Sequence, residues 1–216
     1  MLSARNGKIQ IVEHPLRNEE GYDYKNLYVG GIDSIDIGQK DSATQDQKKL
    51  SEFCIVIKKR NFGLADPQYV AMYKDRPRDI REAYENAAKL LNYYNCQAVL
   101  ESTRTAILTH FRNQKYLHLL MKRPRSTLSD IKKGNSKMYG APASVKVIEH
   151  YRELIYDHIL DYSYTMNMIE MVQQCLSYSD ERKKDFDIIA AMGYCELGDE
   201  ELSAKTPQAM EPVGQG

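Results

Sequence analysis

A chain of 216 residues is long enough for one sizeable hydrophobic core with extensions and too short for two full domains. Lys plus Arg and Asp plus Glu balance at 30 each, so no global positive field draws the chain to nucleic acid, and any such site must be a local patch. The 42% hydrophobic content argues against wholesale disorder, and the sequence has neither a signal-peptide run nor an apolar stretch approaching the roughly 20 residues of a membrane span, so a cytosolic, soluble chain is expected.

In chain order, GKIQIVE (7–13) alternates like an edge strand, and the polar LRNEEGYDY follows it. A first central strand is expected from Lys25 to Ile32, ending in Gly30-Gly31, with Asp33 and Asp36 directly after. Beyond a polar loop, EFCIVIKKR (52–60) and YVAMYKD (69–75) read as two more strands, which makes a three-stranded meander. The period then changes. Ile80, Ala83, Tyr84, Ala87, Leu90 and Leu91 recur at helical spacing behind Arg76-Pro77, so 79–95 is an expected amphipathic helix. A buried strand at CQAVLE (96–101), a short helix at TAILTHFRNQ (105–114) and a strand at LHLLM (117–121) imply parallel β-α-β crossovers. ASVKVIEHYRELIYDHIL (143–160) carries one apolar stripe and reads as a long helix. MNMIEMVQQCL (166–176) and DFDIIAAMGYCELG (185–198) are the last helices, and the tail from about Glu200 reads as disordered.

The chemistry signal is where carboxylates fall on these elements. Asp33 ends the first strand, Glu101 ends CQAVLE, and Asp185 and Asp187 open the last helix. In a sheet with parallel strands, ligands collect at the strand carboxyl ends, so Asp33 and Glu101 can face each other while a helix packed over that edge brings Asp187 between them. Three carboxylates in one pocket repel each other and partly protonate unless a cation neutralises them. Oxygen-only ligands suit Mg²⁺ or Mn²⁺, and such clusters typically hold two ions about 3.5–4 Å apart for phosphodiester cleavage. Taken singly, each acid is also ordinary turn or cap chemistry; only their joint placement points to a site.

The order of acids on strand one, strand four and the last helix resembles the ribonuclease H-like α/β fold, and within it the nuclease domain of tailed-phage large terminase subunits. YVGGIDSID resembles the family's first acidic strand, AVLEST its second, DFDIIAAMG its Asp-bearing last helix, and GAPASVKVIEHYRELI the stretch between the second and third acids. The resemblance implies a mixed sheet with C-terminal helices packed on it, with residues 1–22 an N-terminal extension bearing the edge strand, 23–199 the nuclease domain and 200–216 a tail. It implies a metal-dependent endonuclease that cuts double-stranded viral DNA during genome packaging in the host cytoplasm, using two divalent ions, Mg²⁺ or Mn²⁺. Asp33, Glu101 and Asp187 take the catalytic and metal-binding roles, with Asp185 and Asp36 as further ligands. The family often has adjacent acids in the last motif where this chain has Phe186 between Asp185 and Asp187; Asp187 is preferred because Ile188 to Met192 continue from it as helix core. Implied partners are a small terminase subunit, a portal and an ATPase motor. The sequence has no GxxxxGK[ST] phosphate loop, so the motor is expected upstream of an excised domain or on a separate chain. The rival readings are another ribonuclease H-like nuclease, a junction resolvase or RNA–DNA hybrid cleaver, and a non-catalytic DNA-binding module.

Residues 122–137 hold six basic side chains against one acidic, among them Lys122, Arg123, Arg125, Lys132, Lys133 and Lys137, and read as a DNA-backbone contact, with Arg104 as a further phosphate ligand. Cys54, Cys96, Cys175 and Cys195 show no metal-ligand spacing and are expected as free thiols, and the five histidines read as packing or surface residues.

Overall fold

The structure is a computed structural model that describes residues 7–35, 51–130, 138–179 and 186–210. Its centre is a five-stranded mixed sheet in which β1 (Ile9–Ile11), β5 (Gln68–Asp75), β4 (Phe53–Lys59), β3 (Tyr28–Asp33) and β6 (Ala98–Leu100) lie side by side in that order. The expected meander is β3 (Tyr28–Asp33), β4 (Phe53–Lys59) and β5 (Gln68–Asp75), joined antiparallel. The N-terminal edge strand is β1 (Ile9–Ile11), antiparallel on β5, so this segment belongs to the main sheet. After β5 the chain crosses the sheet through α1 (Ile80–Tyr93) and returns as β6 (Ala98–Leu100), parallel to β3. The Asp79 side chain caps α1 by accepting from the Arg81 amide.

Two apolar layers flank this sheet. Tyr28, Ile32, Phe53 and Ile55 meet the buried stripe of α1 on one face, together with Ile107 and Phe111 of α2 (Thr105–Asn113). Val29, Cys54 and Val56 meet α5 (Asp187–Leu202) on the other, over which α3 (Val145–Tyr162) and α4 (Ile169–Ser177) pack. Helix α5 is apolar nearly all round because it lies between sheet and helices. The glycines of β3 make that packing possible. A Cβ on Gly31 would stand 2.1 Å from the Ala191 carbonyl oxygen and 2.2 Å from the Cys195 nitrogen, so the α5 backbone lies directly on β3. A Cβ on Gly30, on the opposite face, would press on Ala98 and Leu91 at 3.0 Å.

Three local expectations are corrected. The expected first strand begins at Tyr28, and Tyr24–Lys25 is a separate strand, β2. LHLLM is a 3₁₀ turn at Leu117–Leu119 followed by one parallel bridge, Ala98 to Leu120, so the second crossover has the expected direction but no full strand. The tail stays ordered to residue 210: α5 runs on to Leu202, and β7 (Gln208–Ala209) pairs antiparallel with β2. Residues 211–216 lie outside the described residues.

The basic end of EFCIVIKKR is buried. The Lys58 ammonium sits 2.6 Å from Glu196 and 2.9 Å from Asp199 of α5, and Arg60 joins Asp199 at 2.7 Å while donating to the carbonyls of Asn26, Leu202 and Lys205. Tyr69 donates to Glu196. His158 of α3, only 4% exposed, lies against this network, with Glu196 at 4.0 Å, the Tyr69 and Tyr162 rings alongside, and Lys58 and Asp199 nearby. Burial, and then the Lys58 charge, push its imidazole down to about 3 from 6.5. The ring stays neutral in the fold while the unfolded chain takes up the proton near its ordinary pKa. The stability tied to His158 is therefore full above pH 6.5 and declines as pH falls from there towards 3, by up to about 1.4 kcal/mol per pH unit. Urea melts should show a shallower decline below pH 6.5 for His158→Gln than for the wild type; parallel curves would mean that His158 titrates normally.

Candidate active site

Local backbone geometry brings the first two acids together. Parallel β3 and β6 are in register with Ile32 opposite Leu100, and the Glu101 amide donates to the Ile32 carbonyl at 3.1 Å, so Asp33 and Glu101 leave neighbouring strand ends side by side. The Glu101 turn is fixed by its own bonds: Ser102 N donates to Ala141 O at 2.8 Å, and Ala141 N to Leu100 O at 2.9 Å. Gly140 is needed there, with φ +71° and a would-be Cβ 2.1 Å from Leu100 O. Asp187 arrives from the other side as the first residue of α5, where a carboxylate also complements the helix dipole. One of its oxygens accepts from the Glu52 amide at 3.2 Å, just before β4, whose Cys54 is the ladder partner of Asp33.

All three carboxylates line one cavity of about 510 Å³, with Arg104, Ser34, Tyr151 and Tyr194 in its wall. Asp187 is buried, 4% exposed. Burial raises the Asp33 carboxyl well above the ordinary carboxylate range; the charges of Glu101 and Asp187 and a hydrogen bond with Glu101 push the same way, and Arg104 opposes them. Glu101 accepts from the Thr103 hydroxyl and lies 3.9 Å from the Arg104 guanidinium. Among the described residues no group of three His, Cys, Asp or Glu side chains is placed ready to hold a metal ion. The donor set nonetheless fits a hard divalent cation. It is all oxygen, and the anionic form of Asp33 is disfavoured by two further carboxylates, which a cation would reverse.

The basic residues differ in their surroundings. Arg104 precedes α2 and lines the acid cavity. Arg123 is half-buried and braces the Glu101 turn, donating to the Gly140 carbonyl at 3.3 Å and the Ser102 hydroxyl at 3.2 Å. Arg125 is paired with Glu201 at 3.1 Å, and Lys122 is exposed. Asp36, Asp185, Lys132, Lys133 and Lys137 lie outside the described residues. Sequence reading missed Ser34, Tyr151 and Tyr194. The last had a readable signal: it stands seven residues after Asp187, two turns along the same helix face.

The five-stranded mixed sheet with helices packed on both faces is a ribonuclease H-like α/β fold. Its fold is shared with the large terminase nuclease from the thermophilic phage G20c, crystallised with bound zinc: the two superpose with a TM-score of 0.56 at 12% identity, covering 89% of this chain and 88% of that one. No family model matches the sequence, and no curated protein does. Among the described residues no helix is long and apolar enough to cross a membrane.

Proposed function

We propose that this chain is a metal-dependent endonuclease domain of the terminase type that cuts double-stranded DNA during genome packaging in the phage-infected cell. The observation that carries the reading is the convergence of Asp33, Glu101 and Asp187, from three separate elements, on one cavity. The shared fold with a terminase nuclease, and the zinc in that crystal, support it. Asp33, Glu101 and Asp187 would hold the cation, with Asp185 and Asp36 as further oxygen donors. Two divalent ions, Mg²⁺ or Mn²⁺, would supply Lewis acidity and a water acidified towards neutral pH. The chain's own task is to orient three carboxylates so that their charges converge on the reacting phosphate. Arg104 offsets carboxylate charge and can meet a non-bridging phosphate oxygen beside Glu101. An upstream or separate ATPase motor, a small terminase subunit and a portal are the proposed partners.

The deciding experiment incubates the folded chain with supercoiled plasmid in Mn²⁺, with and without EDTA. Nicking that EDTA abolishes is expected; persistent DNA binding with no nicking in any divalent metal would favour the non-catalytic module. Linear duplex should be cut, and selective cutting of a four-way junction or an RNA–DNA hybrid would move the assignment to those nucleases.

The basic stretch should act as a backbone track without sequence preference. The four lysines of the stretch, Lys122, Lys132, Lys133 and Lys137, carry the test, because Arg123 and Arg125 also hold protein groups whose loss would disturb the fold. Replacing these four lysines by alanine should weaken duplex binding equally for unrelated sequences and lower the salt slope by about 0.9 for each phosphate that is no longer neutralised. Fluorescence anisotropy on two duplexes across a salt series measures this, and an unchanged slope would put the track elsewhere.

A further inference from the structure

The acid cavity has a second, uncharged set of groups in its wall. Tyr151 comes from α3 and Tyr194 from α5, and both rings are buried, at 7% and 2% exposure. The rings pack on each other with centroids 5.7 Å apart. The Tyr151 ring also lies against Gly193, where a Cβ would come within 2.3 Å of it, so the ring packs directly on the α5 backbone. A buried tyrosine usually gives its hydroxyl a partner. Others in this chain do: Tyr84 donates to the Ile35 carbonyl, Tyr94 to the Glu13 carbonyl and Tyr69 to Glu196. Neither Tyr151 nor Tyr194 forms a hydrogen bond to a described residue, and both line the cavity. Burial raises both phenols, and the charges of Asp33 and Glu101, which line the same cavity, raise them further.

A carboxylate has about four lone-pair sites, and a cation takes only one or two. The others need donors if the oxygen is to hold its direction. Glu101 has Thr103 and Asp187 has the Glu52 amide, whereas among the described residues no donor serves the Asp33 carboxyl beyond its bond with Glu101. We propose that Tyr151 and Tyr194 are positioning residues whose hydroxyls donate, directly or through one water, to the outer oxygens of Asp33 and Glu101 when those carboxylates hold a divalent cation. This rests on the metal-dependent reading of the site. Packing alone would be served equally well by phenylalanine, which distinguishes the two roles.

The test is Mn²⁺ binding, measured by calorimetry on the intact chain without DNA, for wild type, Tyr151→Phe, Tyr194→Phe and the double variant. Outer-shell partners of metal ligands typically contribute 10–100-fold in affinity, so the double variant should bind Mn²⁺ weaker by about that factor while melting in EDTA at the wild-type temperature. Partial recovery of plasmid nicking at raised Mn²⁺ should accompany it. Affinity within about twofold of wild type in all three variants would overturn the proposal, given the 10-fold lower bound. Asp33→Asn separates this from failure of the broader reading. If wild type binds Mn²⁺ and Asp33→Asn does not, unchanged Phe variants refute the tyrosine role alone; a wild type that binds no Mn²⁺ refutes both. Should a Phe variant melt early, its Mn²⁺ titration is read below its own melting temperature, where a wild-type affinity still counts against the role.

Discussion

Asp33→Asn is expected to lower plasmid nicking by more than about 100-fold, exceeding what removal of an outer-shell partner costs, while leaving the fold intact. The side chain sits where β3 ends, its neighbours are Glu101 and Asp187, and its anionic form is disfavoured by burial and by both charges. An amide keeps the shape and removes one charge from a repelling set. In EDTA the variant should therefore melt at or above the wild-type temperature, the pattern expected where a site stores electrostatic strain for function. Glu101→Gln should behave alike. Asp187→Asn should be more damaging than Asp185→Asn, since Asp187 lines the acid cavity and receives the Glu52 amide. Full nicking by a folded Asp33→Asn protein would sink the site assignment, and a dead Asp185→Asn beside an active Asp187→Asn would move the third ligand by two residues.

Gly31→Ala carries the second large effect, and it acts on architecture. One methyl on β3 would meet the Ala191 carbonyl at 2.1 Å and the Cys195 amide at 2.2 Å, both backbone atoms that no rotamer change can move. Helix α5 must lift off the sheet. Overpacking a well-packed core costs typically 1–3 kcal/mol and occasionally more, so a clash with two backbone atoms of α5 should reach roughly 3 kcal/mol or more, a large share of an ordinary domain's stability. Because α5 also carries Asp187, the surviving folded fraction should bind Mn²⁺ weakly even below its melting temperature. Urea melts with metal titration measure both, and a Gly31→Ala protein with wild-type stability would show that α5 is not seated on β3 as described. The neighbouring Gly30→Ala meets side chains at 3.0 Å, which can shift, and should cost less.

Much of the arrangement is legible in the sequence. The acids at the ends of YVGGID and CQAVLE and at the start of DIIAAMG can be read because period-2 and period-3.6 patterns mark where elements stop, and Asp33, Glu101 and Asp187 stand at those stops. The helices α1, α3 and α5 are readable for the same reason: burial of one face, or of all faces, writes itself into local spacing. What only tertiary structure decided is the identity of partners far apart in the chain. LHLLM is apolar enough for a strand, yet Leu120 finds only one bridge, to Ala98, and the run turns 3₁₀ instead. The tail has no apolar pattern of its own and is ordered by backbone pairing with Tyr24–Lys25, an interaction to which side-chain periodicity is blind. Lys58 and Arg60 lie in a strand whose pattern does not reveal their partners: Glu196 and Asp199, nearly 140 residues later, neutralise them inside the protein. Arg123 and Arg125 read as a basic run, and only the fold sets Ser102 beside the one and Glu201 beside the other. Tyr151 and Tyr194 have the spacing of ordinary core residues. Only the packing of α3 and α5 over the ends of β3 and β6 sets them in the wall of the acid cavity, because helix spacing encodes how buried a side chain is and the fold determines what it faces.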